Sequence, residues 1–175
     1  RLAEGNAIEE FNSLPIIVGG INDESTKKCA IFWEKVLGVE VIKVSSCEAA
    51  ELVKLADNQW IDLNIALAHE LAVLCDSLPY NIDILEVIKG ANTLKKGEHY
   101  VNILTPSIGV GGYCLTKDPL FAKASSQQVL QKKFDFPLSS KAVEVNKKMT
   151  FDVMSEIRDK FNKKIFGKKV LLIGV

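Results

Sequence analysis

Two short strand patterns enclose a helix pattern in the first 45 residues. The apolar run at 16–18 is closed by a glycine pair and predicts a buried strand. From Asn22 or Asp23 to Gly38, capping chemistry, early acidic residues and a final glycine predict a helix. The alternating, valine-rich stretch 39–44 predicts a second strand. Strand, helix and strand in this order indicate the end of an open α/β domain.

Residues 47–78 contain neither glycine nor proline and predict one long helix, about 45 Å in length. Leucine and alanine occur nearly all round this helix, so we expect it to be buried on most sides. Its polar side chains Glu51, Lys54, Asn58, Asp62 and His69 fall within an arc of about 80°. The ordinary interpretation of such a polar stripe is a solvated face. On a buried helix, the stripe needs partners or a function.

The remainder of the chain predicts three further helices, an irregular segment and a terminal strand. A short helix ends at Gly90, and 93–114 is too rich in glycine and turn formers for a regular element. Asp118 and Pro119 have the chemistry of an N-cap and first helical residue. The helix they start runs to about Ala124, and a connection covers 125–137. A helix of about 25 residues follows from 138, and the apolar stretch 168–175 predicts a strand. We expect a mainly α chain that begins and ends partway through α/β units of a larger protein.

Composition and charge exclude several classes of function. Lysine plus arginine and aspartate plus glutamate both count 22, so the formal net charge is zero, unlike that of a nucleic-acid binder. No apolar run reaches the roughly 18 residues typical of a membrane span. The four cysteines form no CxxC pair and only two histidines are present, which argues against a structural zinc site. We therefore expect no nucleic-acid or membrane partner, no metal, and reduced thiols in a cytoplasm.

The stretch SIGVGGYCLTKDP places Gly109, Gly111 and Gly112 just before Cys114. Glycines allow backbone amides to approach a ligand closely, and several such amides form an anion-binding concavity. A thiol at the end of this loop, near a lysine, would have its thiolate favoured. The alternative is a buried structural cysteine. That alternative is the better interpretation of Cys29, Cys47 and Cys75, which lie on apolar or helical runs.

Lys54 and Asn58 are spaced i, i+4 and share a helix face. An ammonium beside an amide donor could stabilise a developing oxyanion. For a lysine taken alone, a simple surface position is the more ordinary interpretation.

Together, AELVKLADN and, about 50 residues later, GVGGYCLTKDP resemble the nucleotide-sugar 6-dehydrogenases, which include UDP-glucose, UDP-N-acetylhexosamine and GDP-mannose dehydrogenases. The resemblance implies three parts. Residues 1–45 would be the C-terminal part of an NAD-binding Rossmann domain, and 46–130 a central helical domain for dimerisation and catalysis. Residues 131–175 would be a linker, a helix and the first strand of a domain that binds the nucleotide sugar. A homodimer would form through the long helix, 48–78.

The resemblance also implies roles for individual residues. Cys114 would be the nucleophile of a two-step oxidation that converts the sugar C6 alcohol into a uronic acid through a thiohemiacetal and a thioester. Lys54 and Asn58 would stabilise the oxyanions, and Asp118 would organise the lysine and the hydrolytic water besides serving as an N-cap. Substrate contacts would come from Glu4, Gly109, Gly111 and Gly112. The cofactor would be NAD, but the family's Gly-rich turn is absent here, so NAD-binding residues stay unknown and we expect the chain alone to be inactive.

The sugar and the class of function stay open at this stage. DLNIALAHEL resembles the UDP-N-acetylhexosamine branch, although Ile61 and His69 replace its usual arginine and asparagine, and CLTKD keeps a lysine usual in UDP-glucose enzymes. We expect a UDP-sugar of polysaccharide biosynthesis. One alternative is a structural homodimerisation module without activity. Another is a cysteine hydrolase that pairs Cys114 with His69 or His99, which requires a histidine oriented by an acid.

Overall fold

The computed structural model of the chain describes residues 5–129, 131–132, 134–171 and 173. These residues form six α-helices, one π-helical turn and four short strands, which confirms the mainly helical fold. In chain order the elements are α1 (Ala7–Ser13), β1 (Ile16–Val18), α2 (Asp23–Leu37), β2 (Val41–Lys43), α3 (Cys47–Ser77), α4 (Ile84–Ala91), β3 (Lys95–Lys96), β4 (His99–Tyr100), α5 (Asp118–Ala124), the π-helical turn (Ser125–Val129) and α6 (Pro137–Lys160). Within this described part, no helix is both long and apolar enough to span a bilayer.

The chain divides into two compact units. The first unit comprises Arg1–Trp60 and Asp118–Phe134, and the second comprises Ile61–Lys117 and Asp135–Val175. The long helix α3 contributes to both units, because the division falls after Trp60.

The strand–helix–strand pattern of the first unit is confirmed. β1 and β2 pair in parallel, with Ile16 opposite Val41 and Val18 opposite Lys43. Asn22 caps α2 in a capping box with Ser25, and the helix ends at a left-handed glycine, Gly38 with φ 64°. The local signals in the sequence therefore fixed both ends of α2, since each end depends on residues within four positions of it.

Helix α1 was not predicted. It contains seven residues, none of them buried, and no side chain caps its first turn. Phe11 of this helix meets the Trp33 ring of α2 edge-on, with ring centroids 6.0 Å apart. Such an aromatic contact depends on the tertiary fold, which is why a seven-residue pattern with little periodicity did not reveal the helix.

The expectation that α3 is buried on most sides is wrong for this chain. Leu52, Trp60, Leu67 and Leu74 are 55%, 50%, 46% and 52% exposed. The buried positions of the same helix include the polar residues Asn58 and Asp62. Leucine and alanine content therefore predicted a hydrophobic helix correctly, but did not show which side the rest of the chain covers.

The second unit differs from the prediction in two places. A short antiparallel hairpin, β3–β4, pairs Lys95 with Tyr100 and Lys96 with His99 where irregular chain was expected, and Gly97 at its turn has φ 62°. The described part of the predicted terminal strand, 168–171 and 173, is not in a strand, and 172, 174 and 175 lie outside the described residues. An extended segment becomes a strand only when a neighbour satisfies its backbone hydrogen bonds. In the first unit, the π-helical turn occupies part of the predicted connection 125–137.

Candidate active site

Lys54, Asn58 and Asp118 form a continuous hydrogen-bonded chain within the first unit. The Lys54 Nζ donates to Asn58 Oδ1 at 2.9 Å, and the Asn58 Nδ2 donates to Asp118 Oδ2 at 2.7 Å. Asn58 is 4% exposed, Asp118 is 6% exposed, and Lys54 is half-buried. The i, i+4 spacing of α3 brings Lys54 to Asn58, while Asp118 reaches them from the first residue of α5.

The Asn58 amide lies between two opposite charges and is oriented by both. Its oxygen faces the ammonium of Lys54 and its nitrogen faces the carboxylate of Asp118. Hydrogen bonds to charged groups are stronger than those between neutral groups, so the two contacts hold the amide in one orientation. Only one of the three N–H groups of the ammonium is used by Asn58, and an ammonium can donate three hydrogen bonds.

Lys54 also lines a cavity of about 300 Å³ in the first unit. The other lining residues are one acid, Glu10, and an apolar set: Phe11, Leu14, Pro15, Ile16, Ile17, Ala50 and Val53. A cation on an apolar wall acts on nearby charge through less water than a cation on an open surface. An ammonium in such a place can stabilise negative charge on a group bound in the cavity.

In the second unit, Cys114 is exposed, so the alternative of a buried structural cysteine is wrong for this residue. The loop turns back on itself through two hydrogen bonds, from Thr116 Oγ1 to the Gly112 carbonyl at 2.8 Å and from the Lys117 amide to the Cys114 carbonyl at 3.1 Å. Gly112 has φ 80°, a left-handed conformation that favours glycine. The sequence 112–117 thus forms a compact turn that presents the thiol to solvent.

The other cysteines fit the structural interpretation only in part. Cys75 is buried and Cys47 is half-buried, but Cys29 is exposed, so its predicted burial is wrong. Cys29 lies on α2, where Thr26 and Ala30 are the buried positions. At about 100° per residue, Cys29 lies about 80° from the middle of these two positions, at the edge of the buried side of α2.

Two asparagine side chains hold the extended segment that leads into the Cys114 loop. Asn64 donates to the Asn102 carbonyl at 2.6 Å and accepts from the Leu104 amide at 2.8 Å. Asn92 likewise donates to the Ile103 carbonyl at 3.0 Å and accepts from the Ile103 amide at 2.7 Å. These amides replace the neighbouring strand that an extended segment otherwise needs, so the segment is fixed without a sheet.

Asp62 and Asn146 form a second buried polar pair, within the second unit. The Asn146 Nδ2 donates to Asp62 Oδ1 at 2.6 Å and to the Asp62 main-chain carbonyl at 3.0 Å. Asp62 is 1% exposed and Asn146 is 5% exposed. Burial raises the pKa of the Asp62 carboxyl above its ordinary value of 3.8, and the Asn146 hydrogen bond acts in the opposite direction.

His69, the last residue of the polar stripe, also has a partner, Asp152. Its Nε2 lies 3.3 Å from Asp152 Oδ2, and Lys148 Nζ lies 3.7 Å from the other oxygen of the same carboxylate. Asn58, Asp62 and His69 therefore have buried or half-buried partners, whereas Glu51 is exposed. The prediction that a polar stripe on this helix needs partners is confirmed for these three residues.

The structure meets only one of the two requirements of the cysteine-hydrolase alternative, which are an acid that orients a histidine and a histidine that contacts the thiol. An acid does orient His69, but among the described residues no hydrogen bond joins Cys114 to His69 or to His99. His99 is exposed on β4. Without a bond between thiol and imidazole, nothing in the described geometry supports a general base for the thiol.

The described residues do not provide a cradle for NAD. In βαβ units the pyrophosphate of a dinucleotide binds at a glycine-rich turn before a helix. Here that turn is filled by the chain itself, because a Cβ on Gly19 would collide with the Ser46 carbonyl and the Gly20 amide donates to Thr26 Oγ1 at 2.9 Å. The turn does not fit a pyrophosphate. Glu4, predicted to contact substrate, lies outside the described residues.

Within the described part of the chain, no group of three or more histidine, cysteine, aspartate or glutamate side chains could hold a metal ion. Three buried or half-buried acids, Asp62, Asp118 and Asp152, have an amide or a histidine among their partners.

Comparisons with known proteins agree on one family. The model of the "UDP-glucose/GDP-mannose dehydrogenase family, central domain" matches residues 48–148. A UDP-N-acetyl-D-mannosamine dehydrogenase of Campylobacter jejuni is 35% identical over 178 aligned residues, which cover 100% of this chain and 40% of that protein. The chain spans about two-fifths of the length of such relatives.

Two solved structures are similar in both fold and sequence. The NDP-N-acetyl-D-galactosaminuronic acid dehydrogenase of Methanosarcina mazei Go1 has a TM-score of 0.79 and 30% identity, over 96% of this chain and 36% of that one. The UDP-D-ManNAc dehydrogenase of Pyrococcus horikoshii has a TM-score of 0.75 and 32% identity, over 94% of this chain and 37% of that one.

Proposed function

Since the chain belongs to the UDP-glucose/GDP-mannose dehydrogenase family, we propose that it is a segment of an NAD-dependent nucleotide-sugar 6-dehydrogenase, which oxidises the sugar C6 alcohol to a uronic acid. The observation that carries this proposal is the buried chain of Lys54, Asn58 and Asp118. A half-buried ammonium, held by an oriented amide and backed by a carboxylate, suits the stabilisation of a transient oxyanion.

Cys114 is the proposed nucleophile, and it acts after the C6 alcohol has lost a proton and a first hydride and has become an aldehyde. Its thiolate gives an electron pair to the C6 carbon of the aldehyde, the C–S bond forms, and the carbonyl π pair moves to oxygen as an oxyanion. Loss of a hydride from that carbon restores the C=O bond as a thioester. Water then adds to the same carbon, the C–S bond breaks, the thiolate leaves and the acid releases its proton. The exposed position of Cys114 suits a thiol that must reach a substrate.

Lys54 and Asn58 take the role that the resemblance gives them, which is to stabilise negative charge on the C6 oxygen. Preorganised donors lower the barrier because they need not rearrange when the charge develops. The Lys54 ammonium meets this requirement, since Asn58 holds it and Asp118 holds Asn58. Asp118 is thereby also the proposed organiser of the lysine and of the hydrolytic water.

NAD, where bound, supplies the hydride acceptor that the family resemblance implies. We assign no NAD contact to this chain, because its one glycine-paired βα turn is occupied by Ser46 and Thr26. The proposed contribution of the chain is the nucleophile and the oxyanion donors.

The proposed substrate is a UDP-N-acetylhexosamine rather than UDP-glucose. Two relatives that align over nearly the whole of this chain are named UDP-N-acetyl-D-mannosamine dehydrogenases, and the sequence DLNIALAHEL resembles the same branch. The family's UDP-glucose dehydrogenase of Pyrobaculum islandicum has a TM-score of 0.76 but 24% identity, a likeness of fold alone.

A homodimer through the long helix is a second proposal, favoured by one observation. Leu52, Trp60, Leu67 and Leu74, which we call the apolar stripe, are each about half exposed. At 100° per residue they fall within an arc of about 80°, roughly opposite the polar stripe. Burial of such a stripe against a second copy of the helix would remove it from water. The dimer and the enzymatic activity are compatible with each other. If the full-length protein forms the dimer but has no activity, the alternative of a structural homodimerisation module is supported.

The nucleophile is tested with the full-length protein that carries this chain. NADH formation is followed with UDP-N-acetyl-D-mannosamine and with UDP-glucose, for wild type and for Cys114→Ala. We expect loss of uronic acid formation by about a thousandfold or more in Cys114→Ala. Cys29→Ala is the matched control, since Cys29 is also exposed. Wild-type turnover in Cys114→Ala would show that the nucleophile is assigned wrongly.

A further inference from the structure

Two buried oxygen atoms in the second unit have no hydrogen-bond partner among the described residues. They are Oδ2 of Asp62 and Oδ1 of Asn146. The remaining polar atoms of this pair are used, since both of the short contacts from Asn146 Nδ2 go to Asp62. Buried acceptors without a donor are costly, and native proteins satisfy nearly all of them. The pair therefore lacks donors.

Both residues line a cavity of about 80 Å³, and its other walls include Val110, Leu115 and Thr116. A cavity of this volume has room for at least one water molecule. Water offers two donors, which matches the two orphan acceptors. An apolar ligand of the same size would leave both oxygens unsatisfied.

Part of the lining of this cavity belongs to the Cys114 turn. Leu115 and Thr116 directly follow Cys114 in the chain. The hydrogen bonds from Thr116 to the Gly112 carbonyl and from the Lys117 amide to the Cys114 carbonyl make 112–117 a compact block. Whatever fills the cavity therefore contacts two residues of this block, Leu115 and Thr116.

We propose that Asp62 and Asn146 bind ordered water in this cavity, and that the hydrated pair positions the turn carrying Cys114. The water donates to Asp62 Oδ2 and to Asn146 Oδ1, and accepts from a donor on the cavity wall, where Lys147 carries an ammonium. Asp62 is thus a positioning residue, which acts through the turn and does not touch the reacting atoms. The part of this inference that concerns catalysis rests on the proposed role of Cys114.

The binding of water is tested without any substitution. A high-resolution crystal structure of the full-length protein is expected to show ordered water within hydrogen-bond distance of both Asp62 Oδ2 and Asn146 Oδ1. A cavity without ordered density at those two atoms would overturn the proposal. This result does not depend on whether Cys114 is the nucleophile.

The positioning role is tested by two substitutions at one residue. Asp62→Leu removes both carboxyl oxygens, and Asp62→Asn keeps a polar group of the same shape that can still bond water. We expect kcat to fall about tenfold in Asp62→Leu with KM unchanged, because small displacements of a reacting group lower the rate strongly. Asp62→Asn should restore kcat to within about twofold of wild type. Asp76→Asn is the control, since Asp76 is an exposed aspartate of the same helix.

The rate of alkylation of Cys114 by iodoacetamide distinguishes the positioning role of Asp62 from the nucleophile role of Cys114. We expect Asp62→Leu to change this rate several-fold relative to that of Cys29, which is exposed in the other unit and serves as an internal reference. An unchanged ratio together with unchanged kcat would overturn the positioning role. A changed ratio in a protein whose turnover survives Cys114→Ala would support the positioning role and reject the nucleophile. If Asp62→Leu does not fold, the same measurements on Val143→Ile, which narrows the cavity, decide the question.

Discussion

Asn58 and Asp118 are joined by a hydrogen bond of 2.7 Å from Nδ2 to Oδ2, although 60 positions separate them in the chain. Both side chains are more than nine-tenths buried. The same amide accepts from Lys54, so one asparagine fixes the distance between an ammonium and a carboxylate. A neutral amide in this place keeps the two charged groups apart and leaves donors of the ammonium for another acceptor.

Replacement of Asn58 by alanine should lower both stability and activity. The substitution removes a donor from a buried carboxylate and the acceptor that holds Lys54, so we expect a loss of about 1–3 kcal/mol in the free energy of unfolding. Turnover should fall about 100-fold or more, since the ammonium loses its fixed position. Urea unfolding and NADH formation measure the two effects in the full-length protein.

Asn12→Ala is the matched control for Asn58→Ala, because Asn12 is exposed and bonds only within its own helix, to the Ile8 carbonyl at 2.9 Å. We expect it to leave turnover unchanged. Equal losses in the two variants would mean that the Asn58 contacts have no special role.

Gly112 should not tolerate a side chain, whereas Gly111 should. Gly112 has φ 80° and Gly111 does not have positive φ, yet a Cβ at either position meets no atom within 4 Å. Gly112→Ala is therefore expected to cost about 1–2 kcal/mol through backbone strain alone. Gly111→Ala, with the same added atom, should cost much less. Thermal or urea unfolding compares the two variants, and equal stabilities would contradict the assigned turn conformation.

The contribution of Asp62 to the stability of the protein should decrease as pH rises. Burial raises the pKa of this carboxyl, so above 3.8 the folded state keeps its proton longer than the unfolded state does. The free energy of unfolding therefore falls as pH rises from 3.8 through the raised native pKa, and the loss is complete above that value. The hydrogen bond from Asn146 opposes this effect, because it favours the charged form of the carboxyl.

Asp62→Asn removes the titrating group, so its free energy of unfolding should lack the decrease with rising pH that Asp62 causes. Urea unfolding of wild type, Asp62→Asn and the exposed control Asp76→Asn is compared across a series of pH values from 3 upward, where carboxyl groups titrate at about pH 4. The stability difference between Asp62→Asn and wild type should grow with pH through this window. A difference that shrinks as pH rises would show that the native pKa is lowered.

Charge placed on the apolar stripe should dissociate the proposed homodimer. Leu67→Glu with Leu74→Glu would place carboxylates in an apolar interface, where their desolvation is strongly unfavourable. We expect the mass measured by analytical ultracentrifugation to fall to half that of the wild-type protein. Val36→Glu, on an equally exposed apolar residue of α2, is the control and should leave the mass unchanged. A double variant that keeps the wild-type mass would place the interface elsewhere.

Several elements could be predicted because their signals are local. The ends of α2 depend on Asn22, Ser25 and Gly38, which act within one turn of the helix. The arc of the polar stripe follows from the helix period alone, and so does the pairing of Lys54 with Asn58. The hairpin at Gly97 and the helix α1 were not predicted, and the predicted terminal strand is wrong for its described residues, 168–171 and 173, since such elements depend on packing and on pairing with distant segments.

The sequence by itself determined which residues of α3 share a polar face, and it placed Cys114 in a glycine-rich loop. Only the tertiary structure decided what that face meets. Asn58 bonds Asp118, Asp62 bonds Asn146 and His69 meets Asp152, across separations of 60, 84 and 83 positions. A helical period fixes angles around one axis, but a partner from another helix is selected by burial, which forces each polar group to find a hydrogen bond wherever the fold supplies one.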